Sequence, residues 1–112
     1  MMSTCWLLQP PSNRHDLSGL SDFGTPVVLF NRGFFPDDVE IHTAHLRETM
    51  DEKLTDFNQF TDYIVPLGDS CVVATVADWF SGTFFGEYWD ETSYVQYLKY
   101  DKKLRGFYVI KI

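Results

Sequence analysis

The sequence predicts a single small domain of the mixed α/β (α+β) class, with a mixed β-sheet of about five strands, two helices and a C-terminal β-hairpin. Three observations predict it: short β-rich runs bounded by turn residues, two segments with apolar residues at helical spacing, and a turn between two β-rich runs at the C-terminus. The predicted element order is β, β, α, β, α, β, β, which is typical of helices packed on a sheet. A length of 112 residues suits one domain, spanning 1–112, with a modest core.

The N-terminal third predicts two short strands. Thr4 to Gln9 forms the first, and Pro10 ends it because proline cannot donate to a central ladder. The segment His15 to Gly24 has apolar residues at a spacing that indicates one or two irregular helical turns. Pro26 to Phe30 predicts the second strand, followed by a turn at residues 31–33.

The first helix is predicted at about residues 37 to 54. Asp37 is the expected N-cap and Glu40 completes a capping box, with both acids near the positive end of the helix dipole. The apolar positions lie near one face, and they are Val39, Leu46, Met50 and Leu54. Three acids fall largely outside that stripe and are expected on the surface: Glu48, Asp51 and Glu52.

The second helix is predicted over Cys71 to Ser81, after a strand at Tyr63 to Leu67. Its apolar residues cover most of the circumference, so we expect it to be largely buried against the sheet; they are Val72, Val73, Val76, Ala77, Trp79 and Phe80. Gly82 is the expected C′ residue. Because the run is rich in β-branched valines, a strand ending near Thr75 is the alternative.

The C-terminus predicts an antiparallel hairpin. Val95 to Tyr100 and Phe107 to Ile112 are β-rich, and turn residues fill Asp101 to Gly106. The second run is too apolar for a mobile tail, so we expect the hairpin to be an integral part of the sheet.

Charge is unevenly distributed along the chain. Residues 1–98 hold 15 Asp/Glu against 4 Lys/Arg, a net charge of −11, whereas residues 99–112 hold 5 Lys/Arg against Asp101, a net charge of +4. An acidic body repels the nucleic-acid backbone, so the expected partner is a protein with a basic surface or another copy of the chain, and no direct nucleic-acid binding is expected. The aromatic content of 17% suits such interfaces.

The apolar runs are too short for a membrane span, and the first eleven residues lack the charge and cleavage pattern of a signal peptide, which predicts a cytoplasmic protein. The two cysteines, Cys5 and Cys71, have no spacing that suggests zinc or redox chemistry. We therefore expect each to be a buried structural thiol.

Several short motifs carry a resemblance: Asp62 to Asp69, Leu98 to Asp101, Gly106 to Val109, and an Asp-Leu-Ser segment that starts at Asp16 and ends at Gly24. At these motifs the chain resembles small phage-encoded proteins of unassigned function. The resemblance implies a viral accessory protein with a compact α/β fold, and it supplies no activity and no catalytic residues. This chain differs from that pattern in an acidic insert around residues 37–60 and in the Phe84–Asp90 stretch, which are candidates for binding a specific partner.

Two motifs have a chemical interpretation that the pattern disfavours. His42, His45 and Glu48 have a spacing that can bind zinc, but no fourth ligand accompanies them, so we expect solvated side chains and no metal or cofactor. The turn Gly68 to Ser70 lies where α/β folds bind phosphate, but it lacks the glycines and lysine of a phosphate loop. Asp69 or Ser70 is the expected N-cap of the second helix.

The aromatic and acidic segment that follows the second helix allows two interpretations. Tyr88, Trp89 and Tyr94 interleave with Glu87, Asp90 and Glu91. This composition suits a recognition surface for an Arg/Lys-rich protein, in which the rings act as anchors and the carboxylates pair with cations. The other interpretation, that the rings cover the core, stays open at this point.

The leading hypothesis is a non-enzymatic accessory protein that binds another protein through an acidic and aromatic surface and acts as a nucleic-acid mimic that inhibits a host or defence factor. The expected binding residues are Asp37, Asp38, Glu48, Asp51, Glu52, Glu87, Tyr88, Trp89, Asp90 and Glu91. One alternative is a self-assembling structural protein, a homo-oligomer in which the basic hairpin of one copy meets the acidic body of the next. The other is a small enzyme that pairs Cys71 with His42 or His45.

Overall fold

A computed structural model describes residues 3–12, 17–31 and 38–112. One mixed sheet has the strand order β2-β1-β3-β4-β5. The first four strands are parallel and the last is antiparallel. In chain order the elements are β1 (Thr4–Leu7), β2 (Thr25–Val28), α1 (Val39–Lys53), β3 (Tyr63–Val65), α2 (Ser70–Trp79), β4 (Gln96–Asp101) and β5 (Gly106–Lys111). The predicted fold class and element order are confirmed.

The two faces of the sheet are covered by different connections. The segment between β1 and β2, which includes a 3-10 turn at Leu20–Asp22, packs on one face, where Leu20 joins Cys5 and Leu98. Both α-helices cover the other face, where their apolar residues meet Ile64. This division follows from the strand order, because the crossover from β1 leads to one side and the later crossovers lead back to the other.

Only one side of α2 is buried. Val72, Val76 and Trp79 lie in the core, whereas Val73 is half-buried and Ala77 is exposed. The predicted largely buried helix is therefore wrong, because the sheet contacts a helix along one face even when apolar residues surround it. The alternative of a strand is also wrong, since the segment is helical.

The helix does not end at Gly82. It continues as a π-helical turn, Phe80–Phe84, in which the Phe85 amide donates to the carbonyl of Phe80, and then as a 3-10 turn, Gly86–Tyr88. The bend lies at Gly86, whose φ is +53°. The predicted C′ role of Gly82 is therefore wrong.

The N-cap of α1 is Asp38, whose side chain makes no capping bond. The helix begins at Val39. The predicted N-cap Asp37, and with it the predicted capping box, lies outside the described residues. The strands also end earlier than predicted, β1 at Leu7 and β3 at Val65. The backbone turns directly after β3, where the Leu67 amide bonds to the Val65 carbonyl.

The C-terminal hairpin is confirmed as part of the sheet. β4 pairs with β5 along its whole length, and Val95 and Ile112 extend the ladder by exchanging two backbone bonds. The Asp101 carboxylate accepts from the amides of Lys103 and Leu104 and so closes the turn. No helix in the described ranges is both long and apolar enough to cross a bilayer.

Candidate protein-binding site

Two loops meet at the amino edge of the sheet, the edge where the parallel strands begin. The loop before β3 contacts the segment before β4: Gln59 Nε2 donates to the Thr92 carbonyl at 2.9 Å, and the Phe60 and Tyr94 rings lie edge to face with centroids 6.1 Å apart. Gln96 Nε2 donates in turn to the Gln59 carbonyl at 3.1 Å. These bonds hold the two loops in one arrangement, so their exposed side chains form a fixed surface.

The surface formed there is both apolar and acidic. Four large apolar side chains are exposed: Tyr88 at 83%, Ile112 at 70%, Phe60 at 68% and Trp89 at 50%. Three acids in the same segment are exposed as well, namely Glu87, Asp90 and Glu91. We call this set, with Tyr94, the acidic–aromatic end. Residues 87–92 lie on the surface, whereas Phe85 beside them is buried and Tyr94 is half-buried.

Trp89 forms the wall of a small apolar cavity. Its ring lies edge to face with Phe85 at 5.1 Å, which fixes the indole against the core. The cavity has a volume of about 210 Å³ and is lined by Ala77, Phe80, Ser81, Trp89, Val95, Tyr97 and Ile112. Pockets for drug-sized ligands measure about 300–1,000 Å³, so this cavity is smaller than such a pocket.

The negative charge at this end is held in place at Asp90. The Thr92 hydroxyl and amide donate to Asp90 Oδ1 at 2.6 and 2.8 Å and keep the pKa of that carboxyl below its usual range. A cation is also present, because Lys111 Nζ lies 5.0 Å from the centre of the Tyr94 ring. The local surface therefore combines three acids with one cation that stacks on an aromatic ring.

The acids predicted on the first helix have different surroundings. Asp38 is the N-cap residue of α1, and Asp51 bonds to Trp79. Glu48 and Glu52 are exposed. The expected binding role of these helix acids stays a prediction, and residues 87–91 form a consecutive exposed stretch. Asp37 lies outside the described residues.

At the carboxyl edge, Gln9 fills the space between β1 and β3. In a sheet of order 2-1-3-4-5 this is the crevice where open α/β folds bind ligands. Gln9 Oε1 accepts from the Asp69 amide at 2.6 Å, and Gly68, with a φ of +108°, lies against the same side chain. The predicted N-cap is confirmed, since the Asp69 carboxylate accepts from the Cys71 amide at 2.7 Å.

Comparison with known proteins gives one match. The family model described as Phage Pam3 gp32-like protein matches residues 8–112. The chain belongs to this phage family. The match confirms the resemblance to phage-encoded proteins, and the family description states no activity. No curated protein and no solved structure matches the chain.

The two cysteines differ in this member of the Phage Pam3 gp32-like family. Cys5 is buried as predicted, and burial, with a smaller effect from Asp62, raises its pKa to about 11. Cys71 is exposed, so its predicted burial is wrong. The reason is helical geometry, because the buried face of α2 consists of Val72, Val76 and Trp79, and Cys71 lies beside that face in the first turn. Its backbone amide donates to the Asp69 carboxylate, so an acid lies in the same turn, whereas reactive thiols lie near cations.

Sequence reasoning missed Phe60 and Ile112 as members of the candidate site. A signal for Phe60 was present, because a large aromatic residue stands alone in the polar run Asn58 to Asp62. Ile112 had no such signal, since its place beside Trp89 depends on the pairing of β5 with β4. Among the described residues, no group of three His, Cys, Asp or Glu side chains lies close enough to hold a metal ion.

Proposed function

We propose that this phage-family protein is a non-enzymatic binding protein that acts in the host cytoplasm and holds a basic protein surface on its acidic–aromatic end. The observation that carries the proposal is a half-exposed Trp89 beside an apolar cavity, with Glu87, Asp90 and Glu91 around it. Tryptophan in such a position is typical of binding anchors, and a rim of carboxylates selects Lys- and Arg-rich partners.

The energetics divide between the anchor and the rim. A large apolar side chain of the partner that enters the cavity beside Trp89 would be desolvated, and desolvated central contacts carry most of the binding free energy. The exposed acids would mainly accelerate association, because charges at a rim change the on-rate more than the affinity. The net charge of −11 over residues 1–98 extends this attraction beyond the contact itself.

A basic surface that suits this end is one that otherwise holds nucleic acid. Occupation of such a surface by an acidic protein blocks the nucleic acid, which makes inhibition of a host or defence factor the expected outcome of binding. The filled crevice at Gln9 supports a binding role over catalysis, because the usual ligand site of this strand order is occupied by the protein's own side chain.

The test compares capture of host proteins by the wild type and three variants. Trp89→Ala removes the anchor, and the Glu87→Lys/Glu91→Lys pair reverses the rim. The Glu48→Lys/Glu52→Lys pair is the matched control, because it makes the same charge change on α1. A partner that is retained by the control and lost by the first two supports the proposal, provided that thermal unfolding shows each variant folded.

Kinetics with that partner then separate the two roles. We expect Trp89→Ala to speed dissociation, at a cost of about 2 kcal/mol, and the rim reversal to slow association at low salt. An equal loss of partner binding in the Glu48→Lys/Glu52→Lys control would contradict the proposal. So would direct binding of nucleic acid by the wild type with a steep salt dependence.

Head-to-tail self-assembly is a second candidate, favoured by one observation. The hairpin turn carries exposed Lys102, Lys103 and Arg105 at the carboxyl edge of the sheet, whereas the acidic–aromatic end lies at the amino edge. A six-residue strand separates them by roughly 17 Å. Opposite charges on opposite edges can join copies into open chains. Sedimentation at low and high salt tests this: large assemblies that dissolve in high salt would favour it, and a monomer in both would exclude it.

A further inference from the structure

The last strand, β5, has one unpaired side. Within the described residues it pairs with β4 and has no strand on its other side. Val95 and Ile112 exchange two backbone bonds of 2.9 and 3.1 Å, and in an antiparallel ladder such pairs alternate along the strands. Tyr108 and Ile110 therefore bond to β4. Phe107, Val109 and Lys111 direct their backbone N–H and C=O groups away from the sheet.

The two edges of the sheet differ in how they are protected. β2, at the opposite edge, contains Pro26, which cannot donate to an added strand. β5 contains four consecutive apolar residues, Phe107 to Ile110, with no proline and no acid, and Tyr108 and Val109 are each 37% exposed. Proteins usually blunt such an edge with proline, charge or a cover, because its backbone groups are a template for another strand.

The charge around this edge indicates which strand it accepts. Residues 99–112 carry a net charge of +4, and their one acid, Asp101, already accepts from two amides of the turn. Pairing of β5 with β5 of a second copy would bring two hairpins of the same sign together, which is unfavourable. An extended segment rich in Asp or Glu would meet the opposite charge instead.

We propose that the β5 edge binds an extended acidic segment of a partner protein, which adds a sixth strand to the sheet. Backbone bonds to Phe107, Val109 and Lys111 supply the pairing. The cations of the hairpin select an acidic sequence. The two sites adjoin at Lys111 and Ile112, but they take partners of opposite charge, so this proposal does not rest on the function proposed above.

The test uses a fluorescent peptide of about ten residues in which Glu alternates with Val, long enough to cover the strand. Its anisotropy is measured with the full chain. Two matched peptides accompany it, one with N-methyl groups on alternate residues and one with Lys in place of Glu. In a further arm a single-stranded oligonucleotide replaces the peptide. We expect the Glu peptide alone to bind, with an affinity that falls as salt rises.

Val109→Pro removes one outward N–H and leaves the bonds between β4 and β5 in place. We expect it to weaken binding about tenfold or more, whereas Val109→Thr, which keeps the N–H and the β-propensity, retains binding. Charge reversal at the exposed pair, Lys102→Glu/Lys103→Glu, should weaken binding of the Glu peptide and strengthen binding of the Lys peptide. Trp89→Ala should have no effect, which separates this site from the acidic–aromatic end.

Several outcomes would overturn the proposal. They are no binding of the Glu peptide by the wild type up to about 1 mM, equal binding of the N-methylated peptide, tighter binding of the oligonucleotide, or dimerisation that Val109→Pro abolishes. Should Val109→Pro fail to fold, as judged by near-ultraviolet circular dichroism, the N-methylated peptide and the charge-reversal pair decide the question on folded protein.

Discussion

Asp51 Oδ1 accepts a 2.8 Å hydrogen bond from Nε1 of Trp79, and this bond ties α1 to α2 above the sheet. Trp79 is only 4% exposed, so its indole N–H depends on this acceptor. The neighbouring ion pair between Arg47 and Asp78 joins the same helices at 3.0 Å but is exposed. Exposed pairs contribute little, so the Asp51 bond is the polar contact between the helices that matters for stability.

We expect Asp51→Ala to lower the free energy of unfolding by about 1–3 kcal/mol, because it leaves a buried donor without an acceptor. Glu52→Ala, one residue further along the exposed side of α1, should change it by no more than about 0.5 kcal/mol. Urea titration of the two variants measures both values. Equal stability of the two variants would show that the bond from Trp79 contributes nothing to stability. Variants that reverse charges to test binding should therefore keep Asp51, so that a loss of stability is not read as a loss of binding.

Deletion of residues 104–112 should abolish cooperative unfolding. β4 pairs with β3 through Ile64 and Tyr97 alone, whereas it pairs with β5 along its whole length. Loss of β5 also uncovers Leu98, which is fully buried and packs near Phe107. Calorimetry of the shortened chain is the measurement, with Leu104→Ala in the exposed turn as the control. A sharp thermal transition in the shortened chain would contradict the expectation.

The fold could be predicted from the sequence because β-rich runs and turn residues mark each strand. The strand ends could not, because burial and single backbone bonds continue after the regular ladder stops. Leu8, Leu29 and Phe30 are all buried, and the amides of Leu29 and Phe30 still donate to the carbonyls of Leu7 and Leu8. Hydrophobicity records burial and does not mark the residue at which regular pairing ends. The exposure of Cys71 has a similar cause, since apolar residues surround α2 and only the position of the sheet decides which face is covered.

The candidate site was predictable in part. Residues 87–91 are consecutive, so their composition alone indicated a surface for a basic partner. Phe60 and Ile112 come from opposite sides of that segment in sequence, and only the order of β3, β4 and β5 brings them to the same edge. The structural role of Asp51 could not be predicted either. An acid that accepts a hydrogen bond from a tryptophan on another helix has the same place in the sequence pattern as an acid that is only solvated.

Cys5 should make the protein less stable at alkaline pH. Its pKa is raised from 9.0 to about 11, so the folded chain keeps the thiol proton in this range while the unfolded chain releases it. The free energy of unfolding therefore falls as the pH rises from 9.0 towards 11. Burial raises the pKa of Tyr97 as well, which adds a fall of the same sign.

The contribution of Cys5 is isolated by comparison of the wild type with Cys5→Ala in urea titrations across this pH range. The variant is expected to lose less stability between the two ends, whatever its stability at neutral pH. Parallel curves for the two proteins would contradict the assignment.

The protein should have no requirement for zinc. Elemental analysis after purification without chelator should find less than about 0.2 zinc per chain, because in the part of the chain that the structure describes His42 and His45 belong to no group of three possible ligands. His42→Ala should then leave the thermal midpoint in chelator and in zinc equal. Stoichiometric zinc that disappears in His42→Ala together with stability would contradict this.

Gly68→Ala should destabilise the chain through Gln9. A Cβ at this position would lie 1.9 Å from Gln9 Oε1, and the φ of +108° is strained for any residue with a side chain. The strain alone costs about 1–3 kcal/mol, and the clash adds to it by displacing the Gln9 side chain from the Asp69 amide. In a Gln9→Ala background the contacts with Oε1 and Cδ are gone, whereas the 2.9 Å contact with the Cβ of residue 9 and the backbone strain remain, so the same substitution should cost less there. Gly82→Ala is the control, since its Cβ would meet nothing within 4 Å. It should be neutral or stabilise by up to about 1 kcal/mol.

Urea titration of the double-mutant cycle measures the coupling between Gly68→Ala and Gln9→Ala. Additive effects of the two substitutions would show that Gln9 does not occupy the crevice between β1 and β3.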